Sequence, residues 1–132
     1  YSFDVCYTSV LKRAVHTTWL ILKELNLVHL PIWKSWRLNE RSYGALTGRM
    51  VEQMLACYGE ETIASWRRSF TSRPPPYPAD HPFHPSAERK YQRWQDRRGV
   101  VLPVRVPQSE SLGDCIRRCV PVWSEEIVPD LN

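Results

Sequence analysis

The chain has no apolar run approaching the ~20 residues that a helix needs to cross a bilayer, and no recognisable signal peptide. It also lacks a Cys-x-x-Cys pair. Cys115 and Cys119 lie one helical turn apart, but no histidine or further cysteine lies near them to complete a zinc site. We therefore expect a cytoplasmic protein with no membrane partner and no metal, whose four cysteines are buried or half-buried free thiols.

Acidic residues are in the minority, since 18 lysines and arginines against 14 aspartates and glutamates give a net charge of +4. Such a surplus favours anionic partners: nucleic acid, acidic lipid or phosphorylated small molecules. The length of 132 residues suits one domain. Many of the eleven prolines fall in residues 73–86, which excludes a regular helix there and predicts an extended loop.

The amino-terminal part has the pattern of a strand, a helix and a second strand. Polar and apolar residues alternate over 3–7, and residues 32–36 form a second short strand. Between them, apolar side chains recur at helical spacing, with Ser9 as the predicted cap and Asn26 as the predicted stop. The amphipathic stripe consists of Leu11, Ala14, Val15, Thr18, Trp19, Leu22 and Leu25. A βαβ unit makes the two strands parallel.

Parallel strands place Arg13 and Glu40 at one edge of the sheet, where open α/β proteins hold ligands. Arg13 falls in the first helical turn, and Glu40 follows the second strand. A partly desolvated carboxyl group there can exchange a proton with a substrate hydroxyl, which makes Glu40 the acid–base candidate. The alternative is an ion pair of Glu40 with Arg37 or Arg41.

Four arginines are candidates for anion binding, because a guanidinium group holds a phosphate or carboxylate through paired hydrogen bonds. They are Arg13, Arg41, Arg67 and Arg68. Cations near a helix's carboxyl end are favourable by roughly 0.3–1 kcal/mol in any case, which gives Arg67 and Arg68 an ordinary alternative. Arg13 has a similar alternative as a surface residue, and Tyr43 as a half-buried packing residue.

The middle of the chain predicts two helices. One covers 51–58 and stops at Gly59, and the next begins with the acidic pair Glu60 and Glu61, which suits a helix amino end. The inward face of the second helix is predicted to consist of Ile63, Trp66 and Phe70.

The last part of the chain predicts a short basic helix within 87–99 and a final helix. Ser111 opens the final helix, and Asp114 completes a capping pair with it. The predicted inward face of this helix consists of Ile116, Val120 and Trp123.

Several uncommon motifs occur in a fixed order: residues 8–14, 38–48, 66–70 and 73–76. In this order they resemble the cofactor-dependent phosphoglycerate mutases of the histidine phosphatase superfamily, in places the bisphosphoglycerate mutase branch. The resemblance covers nearly the whole chain except residues 92–106. It implies an α/β protein: part of a phosphoglycerate mutase-like three-layer fold with a parallel sheet.

The resemblance also implies a reaction. Such mutases interconvert 2-phosphoglycerate and 3-phosphoglycerate in glycolysis through a phosphohistidine, primed by 2,3-bisphosphoglycerate, and commonly form homo-oligomers. Glu40 matches the family's proton donor and acceptor. The residues matched to substrate binding are Arg13, Arg41, Ser42, Tyr43, Arg67 and Arg68. The expected partners are therefore small phosphorylated glycerates.

The family's two histidine segments, Arg-His-Gly-Glu on the central strand and His-Gly-Asn near the carboxyl end, are not found in this sequence. None of its histidines, which are His16, His29, His81 and His84, has either neighbourhood. We therefore expect residues 1–132 to be a partial domain lacking the central strand and the carboxyl-terminal part, without mutase turnover of its own. Its expected segments are a βαβ unit with the substrate motif (1–48), a helical segment (49–72), a proline-rich and basic loop (73–108) and a final helix (109–132).

Two substitutions weaken the expected anion binding: Val51 replaces a family cation, and Ser42 replaces a family histidine. Alternative interpretations are a bisphosphoglycerate mutase or phosphatase of the same family, and a non-catalytic truncated relative. Nucleic-acid binding through residues 89–98 has the charge and the aromatic residues, but it matches no known module and Asp96 interrupts it. We expect no nucleic-acid partner.

Overall fold

The computed structural model describes residues 2–92, 94–95, 101–102 and 104–131. The elements in chain order are strand β1 (Cys6–Thr8), helix α1 (Lys12–Glu24), strand β2 (Ile32–Lys34), helices α2 (Val51–Tyr58), α3 (Glu60–Arg68) and α4 (Arg89–Gln92), strands β3 (Trp94–Gln95) and β4 (Val101–Leu102), and helix α5 (Leu112–Val122). A π-helical turn (Trp123–Ile127) and a 3-10 turn (Val128–Leu131) follow α5. The mixed α/β class is confirmed.

The chain forms two compact units. The first is built mainly from residues 2–40 and 118–131, and the second mainly from residues 41–92 and 104–117. None of the helices in the described part of the chain combines the length and the apolar character that a membrane crossing requires.

Strands β1 and β2 pair in parallel, as the βαβ pattern predicts. Cys6 lies opposite Ile32 and Thr8 opposite Lys34, and the Ser35 N–H donates to the Thr8 carbonyl oxygen at 2.9 Å. Both strands are shorter than the predicted 3–7 and 32–36. Their common direction places the residues that follow them at one edge of the first unit.

Helix α1 buries Thr18 and Leu22, while Trp19 and Leu25 of the predicted stripe are more than half exposed. Asn26 has a φ of 56° and the Leu27 N–H donates to the Leu22 carbonyl oxygen at 2.8 Å, so the predicted stop is confirmed. The predicted cap by Ser9 is wrong. The Ser9 hydroxyl accepts from the N–H of Leu11, one residue before the helix begins, and no side chain caps the helix.

The core of the second unit lies between α2, α3 and the 3-10 turn Gly44–Leu46. Its buried members are Leu46, Met54 and Ile63, with Tyr43, Tyr58 and Trp66 packed against them. Gly59, at φ 75°, separates the two helices at the predicted position. Phe70 does not join the inward face of α3 as predicted. The helix ends at Arg68, and Phe70 is 54% exposed.

Helix α5 begins with the predicted capping pair, since the Ser111 N–H donates to Asp114 Oδ2 at 2.9 Å and the Asp114 N–H donates to the Ser111 hydroxyl. The predicted inward face is wrong, because the residues assigned to it are exposed: Ile116, Val120 and Trp123. The buried and half-buried positions of α5 instead include Cys115, Arg118, Cys119 and Val122. This face carries an arginine because its guanidinium group finds backbone carbonyl partners, as described below.

Tyr7 links the beginning and the end of the first unit. Its hydroxyl donates to the Glu126 carbonyl oxygen at 2.9 Å and also contacts the Asp130 carboxylate. The four cysteines are free thiols, as expected, but Cys57 is exposed rather than buried. The sequence predicts a short basic helix within 87–99, and α4 (Arg89–Gln92) lies in this range. Residues 93 and 96–100 lie outside the described residues.

Candidate functional site

Arg13 and Glu40, which the βαβ topology places at one edge, contact each other directly. Arg13 Nη2 donates to Glu40 Oε2. The side chains are 67% and 60% exposed, so the desolvation expected for Glu40 is not found, and its partner is Arg13 rather than Arg37 or Arg41. Exposed ion pairs contribute only about 0–1 kcal/mol, so this contact is weak and easily exchanged.

The backbone before Glu40 is held by two residues that the sequence analysis missed. The buried Asn39 side chain accepts from the Val10 N–H through Oδ1 at 3.2 Å, which ties the ends of the two strands together. Arg118 Nη1 donates to the carbonyl oxygens of Arg37 at 2.6 Å and Asn39 at 3.0 Å. No local signal identifies Arg118, because its partners lie about eighty residues earlier.

Arg41 is the centre of the second unit's candidate site. Its guanidinium carbon lies 4.8 Å from the centre of the Tyr43 ring. Nη2 donates to the Tyr43 hydroxyl at 3.0 Å and to the Arg67 carbonyl oxygen at 2.9 Å. Nη1 is buried and has no hydrogen-bond partner in the described part of the chain. A buried cationic donor without an acceptor is costly, so an anionic oxygen that reached Nη1 would be bound favourably.

The segment that carries Arg41 is fixed by its neighbours. Gly44 has a φ of 55°, and a Cβ there would lie 2.1 Å from the Pro75 carbonyl oxygen. The same oxygen accepts from the Ala45 N–H at 3.0 Å. The Ser42 N–H donates to Glu110 Oε2 at 2.9 Å, and its hydroxyl donates to the Gln108 carbonyl oxygen. These contacts of Ser42 hold the backbone of the segment in place, and its hydroxyl is used for one of them.

Arg67 and Arg68 lie exposed in the last turn of α3. Neither guanidinium group has a partner among the residues that the structure describes. The structure thus brings Arg41, Tyr43 and the Arg67 backbone together, with Arg68 adjacent in sequence. In the first unit it brings Arg13 and Glu40 together.

The carboxyl group of Asp114 is strongly perturbed by its surroundings. Its burial opposes ionisation, but hydrogen bonds from the Ser111 N–H and hydroxyl, and from Arg73 and Arg117, outweigh that effect and hold the pKa well below its usual range. Arg73 also lines a pocket of about 590 Å³. The other residues that line it include Trp66, Pro74, Pro75, Pro76 and Pro107. Within the described ranges, no three histidine, cysteine, aspartate or glutamate side chains are grouped to hold a metal ion.

Comparisons with known proteins agree with these motifs. Residues 1–82 match the family model of the histidine phosphatase superfamily (branch 1). The chain is 42% identical over 130 residues to a 2,3-bisphosphoglycerate-dependent phosphoglycerate mutase of Buchnera aphidicola subsp. Cinara cedri (strain Cc). That alignment covers 98% of this chain and 54% of the relative, so the chain spans about half of the relative's length. The chain belongs to the histidine phosphatase superfamily.

Proposed function

We propose that the protein is a 2,3-bisphosphoglycerate-dependent phosphoglycerate mutase, which interconverts 2-phosphoglycerate and 3-phosphoglycerate, and that this chain supplies its substrate-binding residues and proton carrier. The relative's name supports the reaction. The buried, unpartnered Arg41 Nη1 supports an anionic ligand, and this single observation carries the proposal.

Arg41 binds a phosphate or carboxylate oxygen of the substrate through Nη1. Its Nη2 contacts to Tyr43 and to the Arg67 backbone fix the plane of the guanidinium group before the ligand arrives. Little side-chain entropy is then lost on binding, which is the advantage of a preorganised site. The exposed guanidinium groups of Arg67 and Arg68 supply further positive charge.

Arg13 and Glu40 act as a pair. A phosphoryl oxygen competes with the Glu40 carboxylate for Arg13, and because their exposed contact is weak, the exchange costs little. The displaced carboxylate is then available to accept the proton of the substrate hydroxyl that becomes phosphorylated, and to return it in the reverse direction. Asn39 and Arg118 hold the backbone that carries it.

A polyanion such as 2,3-bisphosphoglycerate fits the donor set of the second unit, since the buried Arg41 Nη1 requires an acceptor and Arg67 and Arg68 are exposed. When bound, 2,3-bisphosphoglycerate supplies the phosphoryl group that primes the cycle. Arg41, Arg67 and Arg68 of the second unit would bind its anionic groups, and Arg13 of the first unit is a separate candidate for binding a phosphoryl oxygen. Small phosphorylated glycerates as substrates, a homo-oligomeric intact protein in the cytoplasm, and no nucleic-acid or membrane partner belong to the same proposal.

The test replaces Glu40 by glutamine in the intact protein. We expect Glu40→Gln to reduce the mutase rate at least about a hundredfold, because a positioned acid–base group typically contributes 10²–10⁴-fold. Calorimetric binding of 2,3-bisphosphoglycerate should change by less than about threefold. Glu24→Gln, on the exposed end of α1, is the matched control and should leave both unchanged.

Equal losses of rate and binding in Glu40→Gln would mean that the residue is only a structural partner of Arg13. Product analysis with 3-phosphoglycerate and 2,3-bisphosphoglycerate distinguishes a mutase from a bisphosphoglycerate synthase or phosphatase. Absence of any turnover or binding in the wild-type protein would favour the non-catalytic relative.

A further inference from the structure

Glu110 is a buried acidic residue that the proposed mechanism does not use. It is 1% exposed, and with Val122 it is one of the two largest fully buried side chains of the described residues. A carboxylate in such a position is expensive unless it accepts hydrogen bonds that replace water. Its placement therefore requires an explanation from its contacts.

Glu110 holds Ser42 at two points. Its carboxylate Oε2 accepts from the Ser42 N–H at 2.9 Å, and its own N–H donates to the Ser42 carbonyl oxygen at 2.8 Å. Both polar groups of the Ser42 backbone are thus bound to one residue. The flanking residues in sequence are Arg41 and Tyr43, whose side chains contact each other.

Glu110 is itself fixed in place. The next residue, Ser111, is tied by its N–H to Asp114 Oδ2 at 2.9 Å, so the backbone enters α5 in a defined direction. Two residues before it, the Gln108 carbonyl oxygen accepts from the Ser42 hydroxyl. Glu110 thus contacts both of the peptide groups that join Arg41, Ser42 and Tyr43.

We propose that Glu110 is a positioning residue, which holds the Ser42 backbone so that the Arg41 guanidinium group and the Tyr43 ring are aligned for the anionic substrate. The inference rests on the proposed function, because it takes Arg41 and Tyr43 as substrate ligands. Glu110 does not touch the substrate. It lowers the cost of ordering the segment when the substrate binds.

Two conservative variants of Glu110 distinguish the effect of side-chain length from the effect of charge. Glu110→Gln keeps the length and an acceptor oxygen for the Ser42 N–H, whereas Glu110→Asp keeps the charge but is one methylene too short. In the intact protein, we expect Glu110→Asp to raise KM for 3-phosphoglycerate about tenfold, since a buried donor is left unsatisfied, with kcat within about twofold. Glu110→Gln should keep both constants within about threefold. Glu61→Asp, on an exposed residue of the same unit, is the control.

Hydrogen exchange of the Ser42 amide gives a second readout that does not depend on turnover. Protection should be retained in Glu110→Gln and lost in Glu110→Asp. A lowered melting temperature with an unchanged KM in Glu110→Asp would overturn the proposal and leave a merely structural residue. A KM increase in Glu110→Gln with an unchanged KM in Glu110→Asp would overturn it too, because charge rather than side-chain length would then matter. A wild-type protein without turnover and without 2,3-bisphosphoglycerate binding would refute the proposed function itself, and this inference with it.

Discussion

Replacing Gly44 by alanine tests the claim that the anion-binding segment needs a close backbone contact with the proline-rich loop. At φ 55°, Gly44 has a conformation that L-residues rarely adopt. An added Cβ would lie 2.1 Å from the Pro75 carbonyl oxygen and 3.0 Å from that of Gln108. Both atoms belong to the backbone, so neither can turn away as the end of a side chain can.

Three effects add up in Gly44→Ala. The left-handed conformation costs an L-residue roughly 1–2 kcal/mol. Separating the segment from Pro75 breaks the hydrogen bond of the Ala45 N–H, which contributes about 1 kcal/mol. Overpacking adds roughly 1–3 kcal/mol. We therefore expect a loss of about 4 kcal/mol, which is a large part of the total stability of about 5–15 kcal/mol typical of a domain.

Gly59→Ala is the matched control in the same unit. Gly59 also has a positive φ, 75°, but a Cβ added there would meet no atom within 4 Å, so only the backbone strain of about 2 kcal/mol remains. Urea denaturation of the two variants and the wild type measures the difference. Gly59→Ala should also keep the affinity for 2,3-bisphosphoglycerate, and Gly44→Ala should lose it. A Gly44→Ala variant no less stable than Gly59→Ala would refute the reasoning.

Two further predictions concern stability. The pKa of Asp114 is depressed in the folded state, so its ionised form stabilises the fold above the unfolded pKa of about 4, and that contribution is lost as the pH falls toward the folded pKa. The urea midpoints of the wild type and Asp114→Asn should therefore differ at pH 7, and the difference should shrink progressively as the pH falls below about 4. A difference that stays constant over this pH range would contradict the lowered pKa of Asp114. Asn39→Ala leaves the buried Val10 N–H without its acceptor and should cost about 1–3 kcal/mol by thermal denaturation, whereas Asn26→Gly, at an exposed position with φ 56°, should change stability by less than about 1 kcal/mol.

Local patterns predicted the elements that depend on neighbouring residues. The helical spacing before Asn26 and the glycine at position 59 gave the ends of α1 and α2, since helix stops are determined by the backbone conformation of one residue. The parallel pairing of β1 and β2 follows from the helix between them. The approach of Arg13 to Glu40 followed from that topology.

Features that depend on distant residues were not predictable in the same way. The apolar pattern of α5 favoured Ile116 and Val120 as inward residues, but Arg118 faces inward because carbonyl groups at positions 37 and 39 accept from it. Likewise, the burial of Glu110 depends on Ser42, which is 68 positions away. The exposure of Glu40 could not be read from its sequence context either, because burial depends on the whole surrounding structure.

The contact of Tyr7 with Glu126 spans 119 positions of the chain. On a ribosome that adds about 5–20 residues per second, β1 would wait roughly 6–24 s for this partner to be synthesised. Helices α1, α2 and α3 need no such delay for their own backbone bonds. Strand β1 is therefore among the last parts of its unit to acquire all its native contacts, and a nascent chain exposes it to chaperones for that interval.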